Sequence, residues 1–71
     1  MANISERINQ LRIERCLLKK DIASGAGLAL RTYLYYESGE RVPDANNIIK
    51  LCKYFDVSAD YLLGLSDEEK Q

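Results

Sequence analysis

No histidine occurs among the 71 residues, and the two cysteines, Cys16 and Cys52, stand far apart with no further cysteine at ligand spacing. That removes the commonest zinc patterns, so no metal is expected. The chain also lacks a glycine-rich phosphate loop and a paired nucleophile and base. It therefore reads as a non-enzyme without a cofactor. The cysteines read as reduced, small apolar residues, with Cys52 on an apolar helix face beside Ile48 and Phe55. No apolar run approaches the length of a membrane span, and no membrane contact is expected. Met1, Ala2 and Asn3 open no cleavable signal, which makes a cytoplasmic address the default. A marked positive surplus is missing as well: ten Lys and Arg oppose eleven Asp and Glu, for a net charge of −1. A strongly basic nucleic-acid binder would carry a clear excess.

The charge is unevenly spread, however. Through Pro43 seven basic residues face five acidic ones, and from Asp44 onward three basic residues face six acidic ones. Any surface that meets a polyanion is expected in the first part. The length allows one domain with a modest core, burying roughly 60% of the unfolded surface. A hydrophobic fraction of 46% and a charged fraction of 30% suit a compact soluble globule. There is no internal repeat and no linker. Residues 1–66 read as one domain, and 67–71, Asp-Glu-Glu-Lys-Gln, as a polar, frayed tail.

The organising stretch is residues 17–43, where two short helical periods are broken by a glycine turn. Leu18, Ile22 and Ala26 form the first period, Tyr33 and Tyr36 the second, with Leu28 between. Neither segment is long enough to be stable alone, so each must dock on a core. Two short helices joined tightly and docked in this way describe a helix-turn-helix.

The supporting helices are read from caps and periodicity. Asn3 caps a helix over about 3–15, with Glu6 completing a capping box. Its apolar stripe is Ile4, Ile8 and Leu11; Glu6, Arg7, Asn9, Gln10 and Glu14 are expected to face water, and Ile13 lies off the stripe. A second helix over 19–26 offers Ile22, Ala23 and Ala26 to the core, and Gly25 inside it costs roughly 1 kcal/mol relative to Ala. Gly27 suits a left-handed turn. A third helix over 30–37 packs through Tyr33 and Tyr36 and leaves Leu30, Arg31, Leu34 and Tyr35 outward; Gly39 ends it. Asp44 caps the clearest amphipathic helix, 45–55, with Ile48, Leu51, Cys52 and Phe55 on one face. Ser58 caps a last short helix that stops near Gly64 and contributes Tyr61, Leu62 and Leu65.

Several blocks occur in a characteristic order: Leu17, Asp21-Ile22-Ala23, Gly27, Tyr36-Glu37-Ser38-Gly39, Arg41-Val42-Pro43, then 48–58 and 60–64. Together they resemble the Cro and lambda-repressor-like (Xre) helix-turn-helix regulators over nearly the whole chain. The resemblance implies an all-α, compact five-helix fold with the helix-turn-helix in helices 2 and 3. It also implies a sequence-specific regulator of double-stranded DNA that places helix 3 in the major groove and works as a homodimer. Carried over by position, Lys19, Ser38 and Arg41 are expected at phosphates, and Arg31 at guanine through its paired donors. Ala29, Leu30 and Leu34 can touch thymine methyl groups, and Tyr35 a phosphate or base edge. Arg12 and Glu37 match positions that pair as ions in relatives. The departures are Leu18 and Ala29 where capping Ser or Thr is common, Glu40 where a basic residue is common, and leucines where polar residues are usual on helix 3. Adjacent exposed leucines support an alternative, a protein-interaction module on the same fold using the Leu30, Leu34 and Tyr35 face. For a dimer contact the candidates are Tyr61 and Leu65 or the exposed leucines themselves.

Overall fold

A computed structural model of the chain describes residues 3–69. Five helices follow one another: α1 (Ile4–Glu14), α2 (Lys19–Ala26), α3 (Leu30–Ser38), α4 (Ala45–Phe55) and α5 (Ala59–Leu62), and no strand occurs among the described residues. Helices α1, α4 and α5 start where side-chain caps are available. Asn3 accepts from the Glu6 amide, Asp44 from the Asn47 amide and Ser58 from the Tyr61 amide. The starts of α2 and α3, Leu18 and Ala29, make no side-chain cap.

Chain reversals rest on left-handed residues. Gly27 (φ 75°) lets the Leu28 amide reach back to the Ala23 carbonyl, and Gly39 (φ 84°) closes α3. The turn after α1 uses Cys16 at φ 54°, with the Cys16 amide bonded to Ile13 and the Leu17 amide to Arg12. This is the Schellman pattern with a cysteine where glycine is the least strained residue. Cys16 is therefore exposed in a turn, contrary to its reading as an apolar packing residue. Cys52 is half-buried against the core, where burial raises its thiol pKa.

The core draws on every helix. Ile8 and Leu11 of α1, Ile22 and Ala23 of α2, Tyr33 of α3, Leu51 and Phe55 of α4 and Leu62 of α5 are essentially inaccessible. Gly25 has a packing reason that the sequence does not reveal: a Cβ there would overlap the Tyr54 ring, so α2 and α4 approach closely. The methyl-free position offsets part of its helix penalty by allowing that contact.

Besides Cys16, further expectations need correction. Leu18, read with Ile22 and Ala26 as one apolar period, is 58% exposed, because it stands ahead of α2 in extended backbone and only Ile22 and Ala26 turn inward. Arg7, read as water-facing, is only 7% exposed. Its guanidinium lies over the Tyr61 ring at 4.1 Å and donates to the Ser66 carbonyl and the Asp67 carboxylate. The position sits three after Ile4 and four before Leu11, on the buried stripe itself, and a long side chain can cover apolar surface while keeping its charge bonded. Tyr61, named as an interface candidate, is 3% exposed and belongs to the core, whereas Leu65, expected to help fill it, is 68% exposed. The glycine reversal at Gly64 (φ 82°) carries the chain past α5 before Leu65 can turn inward.

The tail carries contacts the polar composition does not suggest. Arg15 pairs with Glu69 at 3.1 Å, and the Ser58 amide donates to the Glu69 carbonyl. The remainder of the expected frayed segment, Lys70 and Gln71, lies outside the described residues, as do Met1 and Ala2.

Candidate nucleic-acid interface

The outward face of α3 is built by burying its other face. Tyr33 and Tyr36, three apart, turn inward, and the Tyr36 hydroxyl accepts from Asn47 Nδ2 at 2.7 Å, tying α3 to α4. Arg31 is left exposed, Leu30 and Leu34 are 46% and 39% exposed, and Tyr35 is half-buried. Ala29 stands exposed at the helix start.

The far end of α3 is fixed from α1. Ser5 Oγ and Asn9 Nδ2 both donate to the Glu37 carbonyl, at 2.7 and 2.9 Å. Arg12 Nε donates to Glu37 Oε1 at 2.9 Å, and Lys19 Nζ stands 3.8 Å from the same oxygen. Ser5, Asn9 and Arg12 recur at i, i+4 and i+7, so α1 presents a polar stripe beside its apolar one. Sequence reasoning picked out Arg12 and missed Ser5 and Asn9, although that spacing was available as a signal.

Glu37 is buried, and its Oε2 and the Tyr33 hydroxyl lack a partner at hydrogen-bond geometry. Burial, and after it the nearby carboxylate, raise the Tyr33 phenol well above its ordinary range. Because of this pair, Glu37 is a fixed anchor where α3 meets α1, with the charge of Lys19 drawn toward it.

Beyond Glu37 the chain folds back on α3. Ser38 Oγ donates to the Tyr35 carbonyl at 3.1 Å and accepts from the Glu40 amide, while the Arg41 amide also donates to Tyr35 O. The Arg41 guanidinium lies 4.6 Å from the Tyr35 ring centroid, a cation over an aromatic face. A shallow hollow beside this turn is lined by Lys19, Arg31, Leu34, Tyr35, Ser38 and Glu40. A second hollow, sharing Lys19 and Leu34, is lined by Arg12, Leu18, Lys20 and Leu30. The structure thus gathers Lys19, Leu30, Arg31, Leu34, Tyr35 and Ser38 on one continuous surface; Arg41 joins it through Tyr35, and Ala29 adjoins it ahead of Leu30. Leu18 and Lys20 share that surface and were absent from the sequence-derived set.

Residues 5–68 match the family described as the helix-turn-helix domain. The chain belongs to this family. The chain is 38% identical over 63 residues to the cryptic phage CTXphi transcriptional repressor RstR of Vibrio cholerae, covering 89% of this chain and 57% of that protein. It is 35% identical to the uncharacterized HTH-type transcriptional regulator YobD of Bacillus subtilis, covering 89% and 56%. It therefore spans little more than half the length of these relatives. Among solved structures, a transcriptional regulator from Listeria innocua superposes with a TM-score of 0.80 at 36% identity, over 93% of this chain and 62% of that one. The P22 c2 repressor, crystallised with a synthetic operator, superposes with a TM-score of 0.84 at 24% identity, over 93% and 100%. The helix-turn-helix formed by α2 and α3 and the five-helix lambda-repressor-like fold expected from the sequence are both borne out. Among the described residues no helix is long and apolar enough to cross a membrane.

Proposed function

We propose that this helix-turn-helix chain is a sequence-specific, double-stranded DNA-binding transcriptional regulator that inserts α3 into the major groove, acts as a homodimer in the cytoplasm and performs no catalysis. The observation that carries the reading is the outward face of α3, bordered by Lys19, Arg31 and Arg41, in a chain whose overall net charge is −1. Lys19, Ser38 and Arg41 are assigned to phosphates, and Arg31, with free paired donors, to guanine. Tyr35 holds Arg41 in place beneath its guanidinium, which reduces the ordering cost of the contact. Glu40, on the same rim, opposes phosphate and limits affinity for arbitrary DNA. A single short recognition helix covers few base pairs, which favours paired half-sites about one helical turn apart and therefore a dimer. With Tyr61 buried, Leu65 and the exposed leucines Leu30 and Leu34 remain as candidates for the contact between copies, and the exposed Ile49 and Leu63 join them.

The test is selection of bound duplexes from a random pool at low and moderate salt, which should enrich a two-fold symmetric site. On that site, Lys19→Ala and Arg41→Ala should weaken binding to all sequences and flatten the salt dependence by about one unit each. Arg31→Ala should cost about 1–3 kcal/mol and relax preference at one position. No enrichment at either salt concentration would overturn the reading.

A further inference from the structure

We propose that residues 66–69 form a salt-sensitive latch, an acidic strap that Arg7 and Arg15 hold closed over α1, the end of α4 and the start of α5, and that opens without unfolding the core. The inference is independent of the DNA-binding reading. Its starting point is the way the segment is tied down. Arg7 Nη2 donates to the Ser66 carbonyl and to Asp67 Oδ1, each at 3.1 Å, and Arg15 Nη2 donates to Glu69 Oε1 at 3.1 Å. The Ser58 amide, just ahead of α5, donates to the Glu69 carbonyl at 2.6 Å. Arg15 also donates to the Phe55 carbonyl, which joins the strap to the end of α4. Within the strap the Glu68 amide donates to Ser66 Oγ, a turn that presets its path.

The two ends of these contacts differ in their access to water. Arg7 is buried over the Tyr61 ring and its Nε has no partner, and a buried guanidinium short of one acceptor depends on the acceptors it has. The Asp67 carboxylate is fully exposed, and the Arg15–Glu69 pair is exposed at both ends. Exposed pairs are weak singly and are screened further as ionic strength rises past about 0.1 M. The strap is thus built from contacts that salt weakens, seated on a cation that is costly to leave unpaired. Because α5 has four residues, too few to hold alone, release of the strap frees the Ser58 amide at its start first. By the helical period, Arg7 and Arg15 lie on a different face of α1 from Ser5, Asn9 and Arg12, which clamp Glu37. Opening therefore stays at the C-terminal edge and leaves α3 and its anchor in place.

The experiment follows amide hydrogen exchange of the ¹⁵N-labelled full chain at about 0.05 and about 0.5 M sodium chloride. It compares the wild type with Asp67→Asn, Glu69→Gln and the double variant, reading Ser58 against the Tyr33 and Arg41 amides, which bond to the Ala29 and Tyr35 carbonyls. Neither replacement removes the carbonyl to which Ser58 donates, so its amide reports the position of the strap. In the wild type the higher salt should speed Ser58 exchange about threefold, and Glu69→Gln should do the same at low salt. Asp67→Asn, which strips the charge facing Arg7, should speed it about tenfold, and the double variant should no longer respond to salt. Tyr33 and Arg41 should not change. Ser58 exchange indifferent to salt and to both replacements would overturn the latch. Tyr33 accelerating in step with Ser58 would overturn it as well, by showing the tail to be part of the global unfolding unit. Should Asp67→Asn fail to fold, the wild-type salt response and Glu69→Gln decide by the same criteria.

Discussion

The helices that support the fold and the helices that form the candidate interface begin in opposite ways. In α1, α4 and α5 a side-chain oxygen of Asn3, Asp44 or Ser58 accepts from an amide in the first turn, at 2.9, 2.9 and 3.1 Å. In α2 and α3 the corresponding residues are Leu18 and Ala29, and no side chain caps either helix. Each missing cap forgoes about 1 kcal/mol of local stability. These two helices are held by tertiary means instead: Tyr33 in the core, Gly27 and Gly39 at the reversals, and the clamp of Ser5, Asn9 and Arg12 on Glu37. Local rules are followed in α1, α4 and α5 and relaxed in α2 and α3, the pattern expected if the proposed interface competes with stability.

The largest effects should come from breaking the shared core. Leu51→Ala, at a fully buried position of α4, should cost about 2–5 kcal/mol in denaturant unfolding, whereas Leu34→Ala on the outward face of α3 should cost less than about 1 kcal/mol. Comparable losses at the two positions would erase the distinction between support and surface.

The clamp comes next. Glu37→Ala or Arg12→Ala should cost about 3 kcal/mol where the survivor stays buried, and a double-mutant cycle should return coupling well above the 1 kcal/mol typical of exposed pairs. Such a pair orients α3 more than it adds net stability, because desolvation offsets much of the attraction. Coupling below about 1 kcal/mol would mean that α1 does not set the angle of α3.

Capping should give opposite signs in the two regions. Asp44→Ala and Ser58→Ala should each destabilise by about 1 kcal/mol, while Leu18→Ser and Ala29→Ser should each stabilise by up to about 1 kcal/mol. Thermal unfolding of the four variants checks the signs.

The smallest effects belong to the reversals. Gly27→Ala meets no neighbouring atom within 4 Å, so its cost of roughly 1 kcal/mol would come from the left-handed backbone alone. Cys16→Gly should do the reverse and stabilise by less than about 1 kcal/mol, because relief of the strained φ is partly offset by greater freedom in the unfolded chain.

Much of this fold was legible because its signals are local. Asn3, Asp44 and Ser58 announce helix starts, Gly27 and Gly39 announce reversals, and the Ile48, Leu51, Cys52 and Phe55 stripe identifies the buried face of α4. Arg7 was misread because charge was weighed above position; its partners, Tyr61, Ser66 and Asp67, come from the other end of the chain. The role of Gly25 was hidden for the same reason, since its need for a bare Cα comes from Tyr54, on a different helix. At the candidate interface, the outward positions of α3 follow from its period. Leu18 and Lys20 were not readable as part of that surface, because only the angle between α2 and α3 brings them beside Leu30 and Leu34.

In the proposed function, the outward face of α3 and the start of α2 meet double-stranded DNA. Titrating ¹⁵N-labelled protein with the selected duplex and following amide shifts tests it most directly. The largest changes are expected at residues 18–20, 29–35 and 38–41, with α4 and α5 altered mainly where copies touch. Changes concentrated on α4 and α5 with helix 3 unmoved, or none at saturating duplex, would contradict it.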